Sequence, residues 1–211
     1  MDQFSNESDL SILTYPEVEK IASTCTKCPL SKGRTKVVFG NGPVPCNLML
    51  IGEAPGADED MEGLPFIGRA GQLLTQILAA VGIKRPDDIY IANTVKCRPP
   101  ENRAPLGSEQ EACRPYLEAQ IRLIAPKIIL LTGAPAVKAI LRTDEPITKI
   151  RGKWFKYKDT EIAIMPIFHP AYLLRNPSKN IGSPKWLTWQ DVQEVKNAVD
   201  YINKVKELEG K

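Results

Sequence analysis

Four short apolar runs set the limits on what this chain can become. LMLI at 48–51, closed by Gly52, IYIANT at 89–94, KIILLTG at 127–133 and IAIMPIF at 162–168 are bounded by turn residues and read as buried strands. Between them the periodicity changes to that of a helix. Leu73, Leu74, Ile77, Leu78 and Val81 share one face of a helix over 69–81, and further helices are expected over 108–124 and 135–142. Thr14 and Glu17 form a T-x-x-E capping box for a short helix ending near Thr24. At the other end Val192, Val195, Val199, Ile202 and Val205 mark an amphipathic C-terminal helix. Strands alternating with helices predict an α/β protein with a mostly parallel sheet covered on both faces. Residues 1–13, MDQFSNESDLSIL, lack periodicity and are expected to be a flexible tail, with 14–211 a single domain.

The 28 Lys and Arg against 25 Asp and Glu give a net charge of +3, which excludes a polycationic nucleic-acid coat. Any contact with phosphates must come from local patches. No apolar stretch approaches the roughly 18 residues of a membrane span, and no leader is visible, so a soluble cytoplasmic protein without membrane association is expected.

An odd number of cysteines in such a compartment argues against a disulfide framework. Cys25 and Cys28 form a C-x2-C pair, whereas Cys97 and Cys113 are separated by fifteen residues, RPPENRAPLGSEQEA. That gap departs from the paired knuckles of structural zinc and suits an iron-sulfur cluster held by a loop; zinc and unrelated buried thiols remain as alternatives. Cys46 belongs to neither pair. Lys27, Lys32, Arg34 and Lys36 near the first pair, and Arg98, Arg103 and Arg114 near the second, could present charge to phosphates or form an ordinary solvated surface.

Ligands of open α/β sheets bind beyond the carboxyl ends of the strands. GEAPG, Asn93 and His169, the only histidine, all fall there. GEAPGADED is not a phosphate loop, and its acids would repel phosphate; Asp58, Glu59, Asp60 and Glu62 read as a solvated face or first helical turn. Phe66 in GLPFIGRAG is placed to stack on a flat base, and Asn93 carries the donor and acceptor that an amide or imide edge requires. After His169, an exposed leucine of Leu173 and Leu174 could wedge into a base stack while Arg175 meets phosphate. KIRGKWFKYK, with Lys149, Arg151, Lys153, Lys156 and Lys158, is either a basic hairpin for DNA or a lysine-protected edge strand.

Taken in order, GEAPG, GLPFIGRAG, NTVKCRPPENRAP, IRGKW, HPAYLLRNP and the four cysteines resemble the family 4 uracil-DNA glycosylases, the iron-sulfur branch of that superfamily. The resemblance runs from Cys25 to about Pro177. It implies a three-layer αβα sandwich around a four-stranded parallel sheet, and a [4Fe-4S] cluster on Cys25, Cys28, Cys97 and Cys113. It further implies a prokaryote-like, monomeric, monofunctional DNA glycosylase that hydrolyses the N-glycosidic bond of uracil in single- or double-stranded DNA and leaves an abasic site for base excision repair. Carried over by position, Gly52, Glu53, Ala54, Phe66, Asn93 and His169 would bind the uracil, with His169 at O2 and Glu53 either polarising the water or excluding the thymine methyl. Leu173, Leu174, Arg175, Arg151 and Lys153 would contact DNA. Many bacterial members carry glutamate at the position of Ala57, so no water activation can be assigned there. Glu53 speaks against family 5, and the absence of histidine from KIRGKW speaks against the branch that becomes covalently trapped on DNA. A noncatalytic iron-sulfur or zinc module for damaged DNA is the alternative of a different class.

Overall fold

In the computed structural model, which describes residues 9–209, five strands form one sheet. The elements in chain order are α1 (Tyr15–Ser23), β1 (Leu48–Gly52), α2 (Ala57–Glu62), α3 (Arg69–Ala80), β2 (Tyr90–Asn93) and α4 (Gly107–Ile124). They continue with β3 (Ile128–Thr132), α5 (Ala134–Leu141), α6 (Ile147–Ile150), β4 (Phe155–Lys156), β5 (Ala163–Ile167), α7 (Pro170–Arg175) and α8 (Pro184–Glu209). The strand order is β2-β1-β3-β5-β4.

β1, β2, β3 and β5 run parallel as the alternation demands, but β4 pairs antiparallel with β5, so the sheet is mixed and five-stranded rather than purely parallel and four-stranded. The reason is the length of the connection. Tyr157 N donates to Ile162 O across a short turn, too short for the crossover that a parallel neighbour needs. KIRGKWFKYK therefore supplies α6 and a two-residue edge strand, with exposed Lys153, Lys156 and Lys158 blunting the edge.

The strands read as continuous apolar runs because both faces are covered. Leu48, Leu50, Ile91, Leu130, Met165 and Ile167 pack with α3 and α8, whereas Met49, Ile51, Ile129, Leu131 and Ile164 point to the face held by α4 and α5. Strand alternation thus sorts one apolar run into two cores. A third, smaller core lies to the side, where Val18 and Ala22 of α1 meet Leu30, Phe39, Val95 and Tyr116.

Of the tail expected at 1–13, the first eight residues lie outside the described residues. The remaining five are tied down: Arg122 donates to the carbonyls of Leu10 (2.9 Å) and Leu13 (2.8 Å), and both side chains pack on the third core. Among the described residues, no helix is long and apolar enough to cross a membrane.

Candidate active site

Parallel register brings the carboxyl ends of the strands together: Gly52 of β1 is paired with Asn93 of β2, and Thr132 of β3 with Ile167 of β5, two residues before His169. Gly52 keeps the floor of this edge open. A Cβ there would lie 2.4 Å from Asn93 Oδ1 and 2.5 Å from Phe66 Cζ, so no side chain fits between them.

Asn93 is 1% exposed, and its Oδ1 is buried without a hydrogen-bond partner among the described residues. An orphaned amide oxygen in a core costs about 1–3 kcal/mol, a penalty that a ligand donor would remove. Its own carbonyl accepts from the buried Lys96 ammonium at 2.7 Å, which is also bonded to Gln120 Oε1 at 2.5 Å. The asparagine backbone is held from below.

Phe66 sits in the left-handed region, φ 53°, which costs a non-glycine residue about 1–3 kcal/mol and must be imposed by its surroundings. Two groups impose it. Arg85 donates to Pro65 O and Phe66 O, both at 2.8 Å. Glu59, buried on α2, accepts from the backbone N–H groups of Gly56 (3.1 Å), Ile67 (3.0 Å) and Gly68 (2.9 Å). One carboxylate thus staples the GEAPG turn to the phenylalanine loop. Gly71 lets the two chain segments touch, since a Cβ there would fall 1.9 Å from Phe66 O.

His169 caps α7. Its Nδ1 accepts from Ala171 N at 3.1 Å, so the ring proton sits on Nε2, which has no partner among the described residues. Burial, reinforced by the Arg175 charge and only partly opposed by Glu59, lowers its pKa to about 4. The imidazole is therefore a neutral N–H donor at ordinary pH. Its ring centroid is 6.0 Å from that of Phe66. Behind it lies Gly133 at φ +89°, where a Cβ would fall 3.0 Å from His169 Cβ.

Glu53 directly follows β1. Its carbonyl accepts from Thr94 Oγ1 at 2.6 Å, while its half-buried carboxylate has no partner among the described residues, and burial raises its pKa. Ala54 packs against the third core. The expected solvated acidic face is half right: Asp58 and Glu62 are exposed, but Glu59 and Asp60 are buried, with both Asp60 oxygens accepting from Thr35 N (2.9 and 3.0 Å).

The structure divides the expected DNA-contacting residues. Leu174 and Arg175, on α7 directly after His169, are exposed, and Lys153 is exposed as well. Leu173 is fully buried in α7 and Arg151 is ion-paired with buried Asp191, so neither is free to meet a ligand. The arginines between the second cysteine pair are also engaged, Arg103 with Glu109 (2.6 Å) and Arg98 with Asn102 (2.8 Å), while Arg114 pairs with Glu111 (2.6 Å). Glu59, Arg85, Lys96 and Gly133 are contributors that sequence reasoning missed: Glu59 and Arg85 hold backbone atoms eight to twenty residues away, Lys96 holds the Asn93 carbonyl, and Gly133 leaves room for His169.

Cys25, Cys28, Cys97 and Cys113 line one small cavity beside Tyr116, and Arg34 donates to Cys97 Sγ (3.2 Å) and Cys25 O (2.6 Å). Cys46 stands apart, donating to Leu48 O. Among the described residues, no group of three or more His, Cys, Asp or Glu is arranged as a finished cage for a metal ion. The donor chemistry, four thiols around one space with a guanidinium on one sulfur, nevertheless fits a thiolate-ligated centre.

The profile of the uracil DNA glycosylase superfamily matches residues 39–193. A type-4 uracil-DNA glycosylase of Thermotoga maritima is 42% identical over 186 residues, covering 86% of this chain and 93% of that protein. Another of that name from Sulfurisphaera tokodaii is 45% identical over 169 residues, 77% of this chain and 76% of its own. A third, from Pyrobaculum aerophilum, is 40% identical over 168 residues, 77% and 85% of the two chains. With a match across the site-bearing sheet and relatives this similar over most of their length, the chain belongs to the uracil DNA glycosylase superfamily and, within it, to the type-4 uracil-DNA glycosylases.

Proposed function

We propose that this chain flips uracil out of single- or double-stranded DNA and hydrolyses the bond between the base and deoxyribose, leaving an abasic site for base excision repair of deaminated cytosine. The observation that carries this reading is the buried, partnerless Asn93 Oδ1. Uracil offers an N3–H donor beside the O4 acceptor, so one carboxamide answers both, its oxygen taking the N3–H and its nitrogen donating to O4. Cytosine presents the opposite pattern and would leave the amide oxygen unpaired, at about 1–3 kcal/mol. Gly52 gives room for the base, Phe66 stacks on it, and Ala54 completes the turn beside it.

As the glycosidic bond breaks, its electron pair passes to the base and collects on O2 while C1′ becomes cationic. His169, neutral and protonated on Nε2, donates a hydrogen bond to that oxygen. Because the ring is already neutral, giving up this remaining N–H would leave an imidazolate, so His169 keeps it; uracil departs as an anion and is protonated by solvent. Water attacks C1′ and gives its proton to Glu53, whose burial makes the carboxylate a stronger base. Leu174 fills the vacated stack, and Arg175 and Lys153 meet phosphates. Leu173 and Arg151 support these elements from within.

Cys25, Cys28, Cys97 and Cys113 would hold a [4Fe-4S] cluster, which when bound supplies a cross-link among the segment after α1, the segment after β2 and α4. Residues 14–211 act as one domain and as a monomer, in the cytoplasm. The test is release of uracil from a defined strand, single or paired with guanine, beside a thymine control. Uracil alone is expected to be released, and His169→Ala to lose about 10²–10³-fold in kcat, the loss typical of removing one donor to a developing anion. Equal release of thymine, or no release from cluster-loaded protein, would overturn the reading.

A further inference from the structure

A groove of about 450 Å³ lies between α3 and α8, within the range of roughly 300–1,000 Å³ typical of ligand sites. Its floor is formed by Leu73, Ile77 and Ala80, which recur at helical spacing on α3. Its other wall carries two half-buried indoles, Trp186 and Trp189, one turn apart on α8. Lys185 and Lys179 stand with them, and among the described residues no Asp or Glu lines the groove. Neither lysine has a carboxylate partner among the described residues, in contrast to Lys138, Lys156, Lys158 and Lys196.

We propose that this groove is a subsite for single-stranded DNA next to the flipped nucleotide, with a base against the indoles and its phosphates at Lys179 and Lys185. The combination of flat aromatic walls and uncompensated cations is what a base and its backbone require, since every base has a π-face and every nucleotide a negative charge. Position supports the same occupant. Leu73 is about one helical turn beyond Arg69, where α3 begins just after the Phe66 loop. On the other side α7, which packs on α3 and exposes Leu174 and Arg175, passes into the segment carrying Lys179 and then into α8. A strand that lodges one base between Phe66 and Asn93 continues past α7 into the groove. In a duplex the partner strand holds the flanking bases, so the subsite acts only on single strands. The proposal rests on the uracil-excision reading for its direction, though not for its binding.

The experiment uses the full-length, cluster-loaded protein and two readouts. Excision is measured on a short strand, with uracil and one nucleotide on each side, and on a strand of about a dozen nucleotides, single and duplex. KM for the long single strand is expected to rise about tenfold in the Trp186→Ala/Trp189→Ala protein, with kcat unchanged and no change on the short strand or the duplex. Lys179→Gln/Lys185→Gln, which leaves the apolar wall intact, should give the same length-dependent loss and flatten the salt dependence by about 0.7 per phosphate contact removed. Independently of excision, uracil-free oligothymidylate should quench tryptophan fluorescence in the parent and not in the tryptophan variant. An unchanged KM on the long strand in both variants, or no quenching, overturns the subsite. Self-association abolished by the tryptophan variant would assign the groove to a second copy and overturn it equally. Absence of uracil release with quenching intact would instead count against the excision reading alone.

Discussion

Asn93 and His169 are each held in a condition that folding alone disfavours. The amide oxygen of Asn93 is buried without a donor, so Asn93→Ala should leave the melting temperature unchanged or raised while excision falls about 10–100-fold, the value of a lost two-point contact to a base. Melting curves beside uracil-release rates check this; a large loss of stability would mean that the amide is satisfied in a way that contradicts its proposed role. For His169 the sign follows from the two protonation states. Its pKa is about 4 in the folded protein against 6.5 ordinarily, so between these values the unfolded chain binds a proton that the folded one does not. Stability from this residue is lost as pH falls from about 6.5 towards 4, by about 3–4 kcal/mol at most at 1.4 kcal/mol per unit. Urea titrations at pH 7 and 4.5 should show a smaller drop for His169→Gln than for the parent. The excision rate of the parent should show no inflection near pH 6.5. Both residues were legible in the sequence because an uncommon side chain falls where a parallel strand ends; the missing partner of Asn93 was not, because it depends on what the other strands fail to supply.

Short elements around the site separate residues that look equivalent along the chain. On α7, Leu174→Ala should leave stability within about 0.5 kcal/mol and slow excision from duplex more than from single strands, because only a duplex leaves a stack to be filled. Leu173→Ala should instead destabilise by about 2–5 kcal/mol, since that side chain is wholly enclosed. Denaturant titration and paired substrates distinguish the two; equal effects would sink the assignment. Periodicity over six residues is too short to say which leucine faces inward, so this stayed undecided until α7 was seen packed on α3. The acidic run failed as a sequence reading for a different reason. Glu59 looks like any first-turn acid, and its three backbone donors include Ile67 and Gly68, eight and nine residues away in a loop whose return no local pattern announces. Glu59→Gln replaces one acceptor oxygen with a donor that faces N–H groups. Excision is expected to fall about 10–100-fold in kcat, because Phe66 and the GEAPG turn lose their common anchor. Glu59→Asp should recover part of it if the carboxylate sets loop position; no recovery together with an unchanged kcat in Glu59→Gln would refute the staple.

At the scale of the whole molecule, the two cores that sandwich the sheet were foreseeable from four apolar runs, but the third core was not. It is assembled from α1, the segment after β2 and α4, and two of its buried members are Cys97 and Cys113. This core reaches the site at two points: Lys96, which precedes Cys97, holds the Asn93 carbonyl, and Ala54 packs against the core. A cross-link through the four thiols would therefore stabilise the side of the protein that supports Asn93 while contributing no atom to the base-binding residues themselves. Removing it, by Cys113→Ser or by extraction of iron, should act as the loss of a cross-link, about 2–4 kcal/mol, or roughly 5–15 °C in melting temperature for a domain of this size. Below the lowered melting point, kcat should stay within a few-fold of the parent, because Gly52, Glu53, Phe66 and His169 are positioned by β1, the α3 loop and α7. Melting measured alongside kcat at a permissive temperature distinguishes support from chemistry. If excision vanished while the melting temperature held, the thiol-bound centre would have to take part in the reaction or in DNA binding, and the structural role assigned to it would be wrong.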